Sequence, residues 1–581
     1  MAGQTGASMA NELSVSIGQY SDKGRKEINQ DFHGALFPDG PTLAMKGIAI
    51  ALADGISSSP VSQVAAESTI KSFLTDYYCT SDTWTVKTSA HRVIGATNSW
   101  LYAETKRSQH AYDMDKGYVC TLSAIILKSD RAYIFHVGDG RIYRVQDRDL
   151  EQLTIDHRSV LSSEQSYLSR AIGMAQHVEI EYRMLEVATG DVFILATDGV
   201  YEYLDEQFLI KAIKNNPDDL DKAAREVVEH AYSRGSPDNL TIQIVRVDSL
   251  PKEAAYDFLE SGDALPAPPL LEARQEFDGY RILRQIHASN RSHIYLASDL
   301  ETGEKVALKI PSIDMRDDTA YLRRLNMEEW VARRLSSAHV LKAVPQKRRR
   351  NFLYVVTEFV DGQTLSQWMI DNPEPDLESV RGIIEQIALG LRAFHRKEMV
   401  HQDLRPENIM IDKAGTVKII DFGSTKVAGV VEAGPHNQGD EILGTLQYTA
   451  PEYFVGDSGT RQSDFFSLGV IAYQMMTGKL PYGAQVSKVR TRAQQRKLRY
   501  ISALSDTSEI PNWIDCMLKK AVHPDPFKRY ETLSEFIADL RTPNKNFKLD
   551  ARVPLAQRNP VAFWQTISLV LAIVIVFLLV R

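Results

Sequence analysis

The 581-residue chain is poor in cysteine, holding only Cys79, Cys120 and Cys516, with no two at CxxC spacing. That excludes a disulfide framework and a thiolate zinc centre, and it suits a reducing compartment. An excess of positive charge is also missing: 67 Lys and Arg stand against 75 Asp and Glu, a formal net charge of −8. A phosphate-neutralising surface makes a domain basic, so nucleic acid is not an expected partner. The one local exception, Lys347 to Arg350, reads as a solvated β-turn between two strands. Met1 to Ser14 lacks a basic segment followed by an apolar core, so no secretory signal is expected. Internal repeats and long low-complexity tracts are absent too, and the large blocks of the chain are expected to be unrelated in fold.

Long apolar runs are scarce, with one exception. Val561 to Val580 carries no charge, and Leu569 to Val580 is apolar throughout. At about 1.5 Å per residue a helix there would be roughly 30 Å long, enough for a bilayer core. Its polar groups, Gln565, Thr566 and Ser568, gather at one end instead of forming the stripe of a buried amphipathic helix. Arg552 and Arg558 precede it, Trp564 suits an interface, and only Arg581 follows. The expectation is a single-pass C-terminal transmembrane helix that leaves the long N-terminal part on the cytoplasmic side. The oligomeric state has no signature.

What is present is ordinary globular material, 44% hydrophobic and 24% charged, enough for more than one core. Proline clusters divide it. Leu265-Pro266-Ala267-Pro268-Pro269 lies in a stretch without apolar periodicity, and Pro543, Pro554 and Pro560 punctuate a second one. The division read from this is a first domain over 13–248, a linker over 249–276, a second domain over 277–542, a juxtamembrane linker over 543–560 and the membrane helix over 561–580.

In the first block, apolar runs end in acidic turns. Gly47 to Ala53 runs into Asp54-Gly55, Asp191 to Thr197 into Asp198-Gly199, and Asp238-Asn239 introduces the alternating segment Leu240 to Val247. Ala132 to His136 leads to Gly138-Asp139-Gly140. Carboxylates at strand tips, with no His or Cys cluster beside them, suit hard oxygen-ligated ions such as Mg²⁺ or Mn²⁺. A pair of such ions acidifies water and clamps a phosphate, permitting hydrolysis at neutral pH without a covalent intermediate. A single Asp-Gly is more often a plain turn. The order of the pieces changes the odds: Arg25 with Asn29-Gln30-Asp31, then Ala53-Asp54-Gly55, Gly138 to Arg141, Leu153 to His157, Leu168 to Gly173, Ala196 to Gly199 and Asp238-Asn239. On these residues the block resembles the metal-dependent (type 2C, PPM) serine/threonine protein phosphatases. The resemblance implies an α-β-β-α sandwich with two Mn²⁺ or Mg²⁺ held by Asp31 (through water), Asp54, the Gly55 carbonyl, Asp198 and Asp238. It makes Asp139 a ligand of a weaker third ion and Arg25 the phosphate-binding cation, with Lys26 the alternative. Where the family has Asp-Gly-x-Gly-Gly-His, this chain has Asp54-Gly55-Ile56-Ser57-Ser58-Ser59, which implies a slower or differently tuned enzyme.

The second block carries Val306-Ala307-Leu308-Lys309, then His401-Gln402-Asp403-Leu404-Arg405-Pro406-Glu407-Asn408, Asp421-Phe422-Gly423 and Ala450-Pro451-Glu452, in that order. On these motifs it resembles eukaryotic-type serine/threonine protein kinases, with a bilobal fold, ATP as phosphoryl donor and Mg²⁺. By that resemblance Asp403 orients the substrate hydroxyl and accepts its proton, Asn408 and Asp421 hold Mg²⁺, and Lys309 pairs with Glu328, Glu329 being the alternative. Arg405 stands where the family usually has Lys and keeps positive charge near the transferred phosphate. Asp464 and Arg529 read as structural, Arg529 as the partner of Glu452. In the nucleotide-covering loop His287, Ser289 and Ser292 fall where glycines normally stand, so weakened ATP affinity is expected. Gln402 replaces the arginine that reads activation-segment phosphate, so that switch is expected to be missing, although Thr445 remains a candidate phosphosite.

The whole reads as a multidomain α+β enzyme that phosphorylates and dephosphorylates Ser/Thr of protein substrates. The competing reading is a membrane-tethered scaffold in which one domain, the kinase with its glycine-poor loop, regulates the other without turnover.

Overall fold

The computed structural model describes residues 12–547 except 147–148, 163–164, 252–264, 346–347, 434–446 and 505–509, together with residues 564–568.

The first block builds two five-stranded sheets. Its strands are β1 (Ser14–Asp22), β2 (Asp31–Leu36), β3 (Ile48–Asp54), β4 (Leu122–Lys128), β5 (Arg131–Val137), β6 (Arg141–Gln146), β7 (Asp149–Gln152), β8 (Arg158–Ser162), β9 (Gln165–Leu168), β10 (Glu181–Glu186), β11 (Val192–Ala196) and β12 (Leu240–Ser249). One sheet has the order β1-β12-β11-β6-β7 and the other β10-β5-β4-β3-β2, while β8 and β9 form a separate hairpin. Helices α1 (Gly40–Lys46), α2 (Ser62–Cys79), α3 (Val86–Arg107), α4 (Asp198–Tyr201), α5 (Glu206–Asn215) and α6 (Leu220–Ser233) complete the block.

The continuous apolar run of β3 is explained by burial on both faces. Ile48, Ile50 and Leu52 meet Phe193, Leu195, Val245 and Val247 of the other sheet in the central layer. Ala49, Ala51 and Ala53 point the opposite way, into the layer shared with Ala66, Ile70 and Phe73 of α2 and with Ile94 and Leu101 of α3. On the far side Ile194, Ala196, Ile242 and Ile244 pack with Leu209 of α5 and with Ala224, Val227 and Val228 of α6. The layering is therefore helix, sheet, sheet, helix. Each fully buried Ile or Leu contributes about 1.5 to 3 kcal/mol, which locks the register and places the acidic strand ends at one edge.

The second block begins with a five-stranded antiparallel sheet in sequence order: β13 (Glu276–Phe277), β14 (Tyr280–Ala288), β15 (Ser292–Asp299), β16 (Lys305–Pro311) and β17 (Val355–Glu358). Helix α7 (Thr319–Arg334), capped by Asp318 accepting the Tyr321 N–H, lies against β17. The larger lobe is helical, with α8 (Leu365–Asp371), α9 (Leu377–Arg396), the short α10 (Ala428–Val431) and α11 (Arg461–Thr477). Ile384, Ile387, Leu391 and Phe394 of α9 share its core with Phe466 and Val470 of α11.

Two expectations are corrected here. Within the basic run Lys347 lies outside the described residues and Arg349 is exposed, but two arginines are not solvated: Arg348 donates to the Gly279 carbonyl (2.7 Å) and pairs with Asp299, while Arg350 donates to the Tyr354 carbonyl (3.0 Å) and to Glu329 Oε2 (2.7 Å). Guanidinium forks can satisfy a carbonyl and a carboxylate together, so they brace the small lobe. The proline segment is not wholly a free linker either. The Pro266 carbonyl accepts the Leu353 N–H (3.0 Å), and Leu271 is buried with Phe277 and Ile282. Proline forfeits a donor and keeps its acceptor, so such a segment can still lie along a lobe.

Among the described residues no helix is long and apolar enough to cross a membrane. Of the span expected over 561–580 only residues 564–568 are described, as helix, and the remainder lies outside the described residues.

Candidate active sites

Five strand ends of the first block deliver carboxylates to one place. Asp31 and Asp54 face each other across β2 and β3. Asp139 follows β5, Asp198 opens α4 directly after β11, and Asp238 stands just before β12. Asp31 is buried: its Oδ2 accepts the hydroxyls of Thr241 (2.7 Å) and Thr197 (3.0 Å), and among the described residues its Oδ1 has no hydrogen-bond partner. Burial pushes the Asp31 carboxyl up to about 6. Burial and then Asp139 and Asp238 push Asp198 up to about 7. Asp54 is held well above the usual carboxylate range by burial, with Asp31, Asp198, Asp139 and Asp238 adding to it. Oxygen donors that crowd and repel one another, one of them buried without a proton donor, fit hard divalent cations. Asp31, Asp54, Asp198 and Asp238 are the residues that would hold them, with Asp139 beside them and the Gly55 backbone at the tip of β3.

Arg25 does not reach this cluster. Its guanidinium donates to the Gly235 carbonyl (3.0 Å) and stacks over Tyr232 (5.3 Å), near the end of α6. Lys26 turns inward instead, with Nζ 3.2 Å from Asp238 Oδ1 and 3.1 Å from Ser57 Oγ. The sequence left these neighbours open, and the aromatic face of Tyr232 captures the first of them.

Several supporting contacts were not read from the sequence. Arg158, at the start of β8, pairs with Asp139 (2.6 Å), Asp198 (2.8 Å) and Glu202 (2.9 Å). Asn239 accepts the Gln30 N–H (2.9 Å) and donates to the carbonyls of Lys23 and Ile28, pinning the loop that carries Lys26. The serines that replace the glycine-histidine motif are tethers: Ser58 Oγ donates to the Asp115 carbonyl and Ser59 Oγ to the Gly117 carbonyl. A histidine pair also lies close by, contrary to the sequence reading. His136, His157 and Glu181 bring ligand atoms within 4.8 Å of one another. Both His136 nitrogens are nevertheless engaged, with Ser123 Oγ (3.0 Å) and the Gly138 carbonyl (2.9 Å), and His157 Nδ1 accepts the Gly138 N–H (3.1 Å). The pair grips Gly138, whose φ of +116° suits glycine, and so sets the turn that presents Asp139.

The second block has an internally balanced site. Lys309 of β16 reaches Glu328 of α7 at 2.6 Å and Asp421 at 3.8 Å. Glu329 is turned away and held by Arg333 and Arg350. Burial alone would deprotonate Lys309, yet Asp421 and Glu328 hold its ammonium above the usual range. Burial would likewise raise Asp421, but Lys309 and the Gly423 N–H pull it down. Asn408 Nδ2 donates to the Asp403 carbonyl (2.9 Å) and to Asp403 Oδ2 (3.1 Å), and Arg405 Nε lies 3.7 Å from the same carboxylate. Asp464, buried on α11, accepts the N–H groups of His401 (3.0 Å) and Gln402 (3.1 Å), which holds Gln402 at a φ of +67°. Arg529 pairs with Glu452 through two nitrogens, each at 2.7 Å.

The loop between β14 and β15 is closed by its own serine. Ser289 Oγ accepts the N–H groups of Ser292 (3.1 Å) and Arg291 (3.3 Å), and Ser312 Oγ donates to the Asn290 carbonyl (2.6 Å). The Ser289 hydroxyl thus rigidifies the turn where a glycine would leave it supple. Thr445 lies outside the described residues.

Two family models match the chain: the protein phosphatase 2C model over residues 19–241 and the protein kinase domain model over residues 280–539. Serine/threonine-protein kinase PrkC of Bacillus subtilis is 30% identical over 263 residues, 45% of this chain and 40% of that protein. PknA of Corynebacterium glutamicum is 34% identical over 208 residues, 35% of this chain and 44% of that protein. The matched stretch thus spans less than half the length of either curated relative. The solved serine/threonine phosphatase PstP/Ppp of Mycobacterium tuberculosis aligns over 41% of this chain and 99% of its own, at 22% identity and a TM-score of 0.35. Two catalytic architectures, each with its acidic residues gathered, are therefore fused in one polypeptide: a protein phosphatase 2C domain followed by a protein kinase domain.

Proposed function

We propose that this protein both transfers the γ-phosphoryl group of ATP to Ser or Thr of target proteins and removes such phosphates by hydrolysis. The observation that carries this reading is the presence of two separate carboxylate constellations, one crowded and cation-seeking, the other already organised around Lys309.

In the kinase domain, Asn408 holds the Asp403 carboxylate where it can orient a hydroxyl and take its proton. Lys309, fixed by Glu328, is set to grip nucleotide phosphates, and Arg405 brings positive charge beside Asp403. Asn408 and Asp421 would hold Mg²⁺, which supplies neutralisation of phosphate charge. In the phosphatase domain, Asp31, Asp54, Asp198 and Asp238 would hold two Mn²⁺ or Mg²⁺ ions, whose contribution is Lewis acidity toward water and the phosphoryl group. Lys26 is the cation placed to meet the phosphate of the substrate, and Asn239 keeps its loop in position.

The test is a pair of variants, Asp403→Asn and Asp198→Asn, each assayed for phosphate transfer to a model protein and for release from a phosphopeptide. Loss of transfer in the first and of release in the second, each with the other activity retained, is the expected result. A wild-type chain that binds ATP and transfers nothing would favour the scaffold reading, to which the stiff Ser289–Ser292 turn lends support.

We also propose that the apolar 561–580 segment anchors the protein to a membrane, with both catalytic domains on the cytoplasmic side. Recovery of the intact protein in a salt-washed membrane fraction, against its release when residues 561–581 are deleted, tests this.

A further inference from the structure

Residues 82–88 of the phosphatase lie against the kinase, together with Lys128 and Met45, and this 82–88 segment touches three different working parts of the kinase. Asp82 takes Arg334 in a fork, with Nε to Oδ1 at 3.0 Å and Nη2 to Oδ2 at 2.6 Å. Arg334 ends α7, the helix that carries Glu328, and its guanidinium is stacked on Trp330 (3.6 Å). The Thr83 carbonyl accepts the Gly429 N–H (3.0 Å), and Glu432 accepts the Val86 N–H (2.8 Å), which ties down the short helix after Asp421-Phe422-Gly423. Glu398 accepts the Thr85 N–H (2.7 Å) and the Thr88 hydroxyl (2.6 Å), and Trp84 Nε1 donates to the Arg396 carbonyl (3.1 Å). Glu398 immediately precedes the two-residue strand Met399–Val400, which leads to Asp403 and pairs with Lys426–Val427.

Two details make this seam specific. Lys128, at the end of β4, is fully buried there, donating to the Gly429 carbonyl (2.8 Å) with Glu432 at 3.7 Å. A buried ammonium deprived of its acceptors is strongly destabilising, so this contact tolerates little displacement. Gly429 is backed so closely that a Cβ would sit 2.4 Å from the Asp82 carbonyl oxygen and 2.8 Å from that of Trp84. Met45 of the phosphatase adds an apolar contact to the core of the large kinase lobe.

Helix α7, the segment after Asp421 and the approach to Asp403 are the elements whose relative placement decides whether Lys309 meets Glu328 and Asp421. Gln402, standing where a phosphate-reading arginine would be, offers no guanidinium to fix them through a phosphate. We propose that the phosphatase domain is the positioning partner of the kinase in the same chain: its 82–88 loop and Lys128 hold these three elements in the arrangement that phosphate transfer requires. The proposal rests on the kinase activity argued above and adds its dependence on domain docking.

The intact chain serves for the test. Gly429→Ala, which pushes a methyl into the seam, and Asp82→Arg are expected to speed amide hydrogen exchange in α7 and across residues 428–432. Transfer to a model protein is expected to fall about tenfold, while manganese-dependent hydrolysis of p-nitrophenyl phosphate stays within about twofold. Adding Arg334→Asp to Asp82→Arg restores both exchange protection and transfer. Unchanged exchange in both single variants overturns the proposal, and so does faster exchange with undiminished transfer. If the wild-type chain transfers no phosphate, the kinase reading fails by itself. The docking is then judged by exchange and by ATP binding in a calorimeter: lost protection with weaker binding supports it, and either one unchanged overturns it.

Discussion

The two active sites solve opposite electrostatic problems. In the phosphatase domain Asp54 is surrounded by Asp31, Asp139, Asp198 and Asp238, and burial together with these neighbours pushes its carboxyl up. In the kinase domain partial burial acts on Asp421 in the same direction, yet Lys309 and the Gly423 N–H leave it below its usual value. In the first site Arg158 and Lys26 offset only part of the negative charge around Asp54, whereas in the second Lys309 lies between Glu328 and Asp421. Burial alone does not decide the protonation of an acid; the sign of its nearest neighbours does.

The largest expected effect breaks the balanced site. Lys309→Met should lower phosphate transfer by about a hundredfold or more, since it removes the cation aimed at the phosphates and strands Glu328, while phosphopeptide hydrolysis continues. Parallel assays of both activities on one preparation check this.

The crowded site should reveal itself through pH. Asp31 titrates near 6 in the fold and near 3.8 when free, so between those values the folded state keeps a proton that the unfolded state has lost. Its contribution to stability is complete below about pH 4 and is lost as the pH rises through about 6, on the order of 2 to 3 kcal/mol. Chemical denaturation of the phosphatase domain within the intact chain, in chelator, should therefore show stability falling from pH 4.5 to 7.5. Added Mn²⁺ should reverse the trend, because it binds the ionised carboxylates.

A smaller effect distinguishes the two neighbouring cations. Lys26→Ala should lower phosphatase kcat/KM about tenfold through loss of one charge-assisted contact, while Arg25→Ala, remote on Tyr232, should change it about twofold at most. The smallest effect concerns the nucleotide loop. Replacing His287, Ser289 and Ser292 together by glycine frees the turn and should tighten ATP·Mg²⁺ binding by a few-fold, measured by calorimetry; unchanged affinity would show that the serine-closed turn costs nothing.

Part of this was legible in the chain itself. Apolar runs ending at Asp54 and Asp198 announced strands with carboxylates at their tips, because a strand's period and its burial are written in consecutive residues. The motif around Asp403 and Asn408 was equally local. The choice between Arg25 and Lys26 was not, since it turned on Tyr232 roughly two hundred residues away. Arg158 was passed over for a similar reason: an arginine next to a histidine carries no mark of the three carboxylates it will find. Arg348 and Arg350 looked solvated because their acceptors, the Gly279 carbonyl, Asp299 and Glu329, come from a turn, another strand and a helix.

Sequence by itself determined the kinds of chemistry, the order of the two domains and the acids available to each, since motifs of this sort lie within a few residues of one another. Only the tertiary structure decided which of Arg25 and Lys26 faces the acidic cluster, which of Glu328 and Glu329 meets Lys309, and that Lys128 is buried against the kinase. Those outcomes depend on partners far apart in the chain, whose meeting is fixed by the packing of sheets and helices.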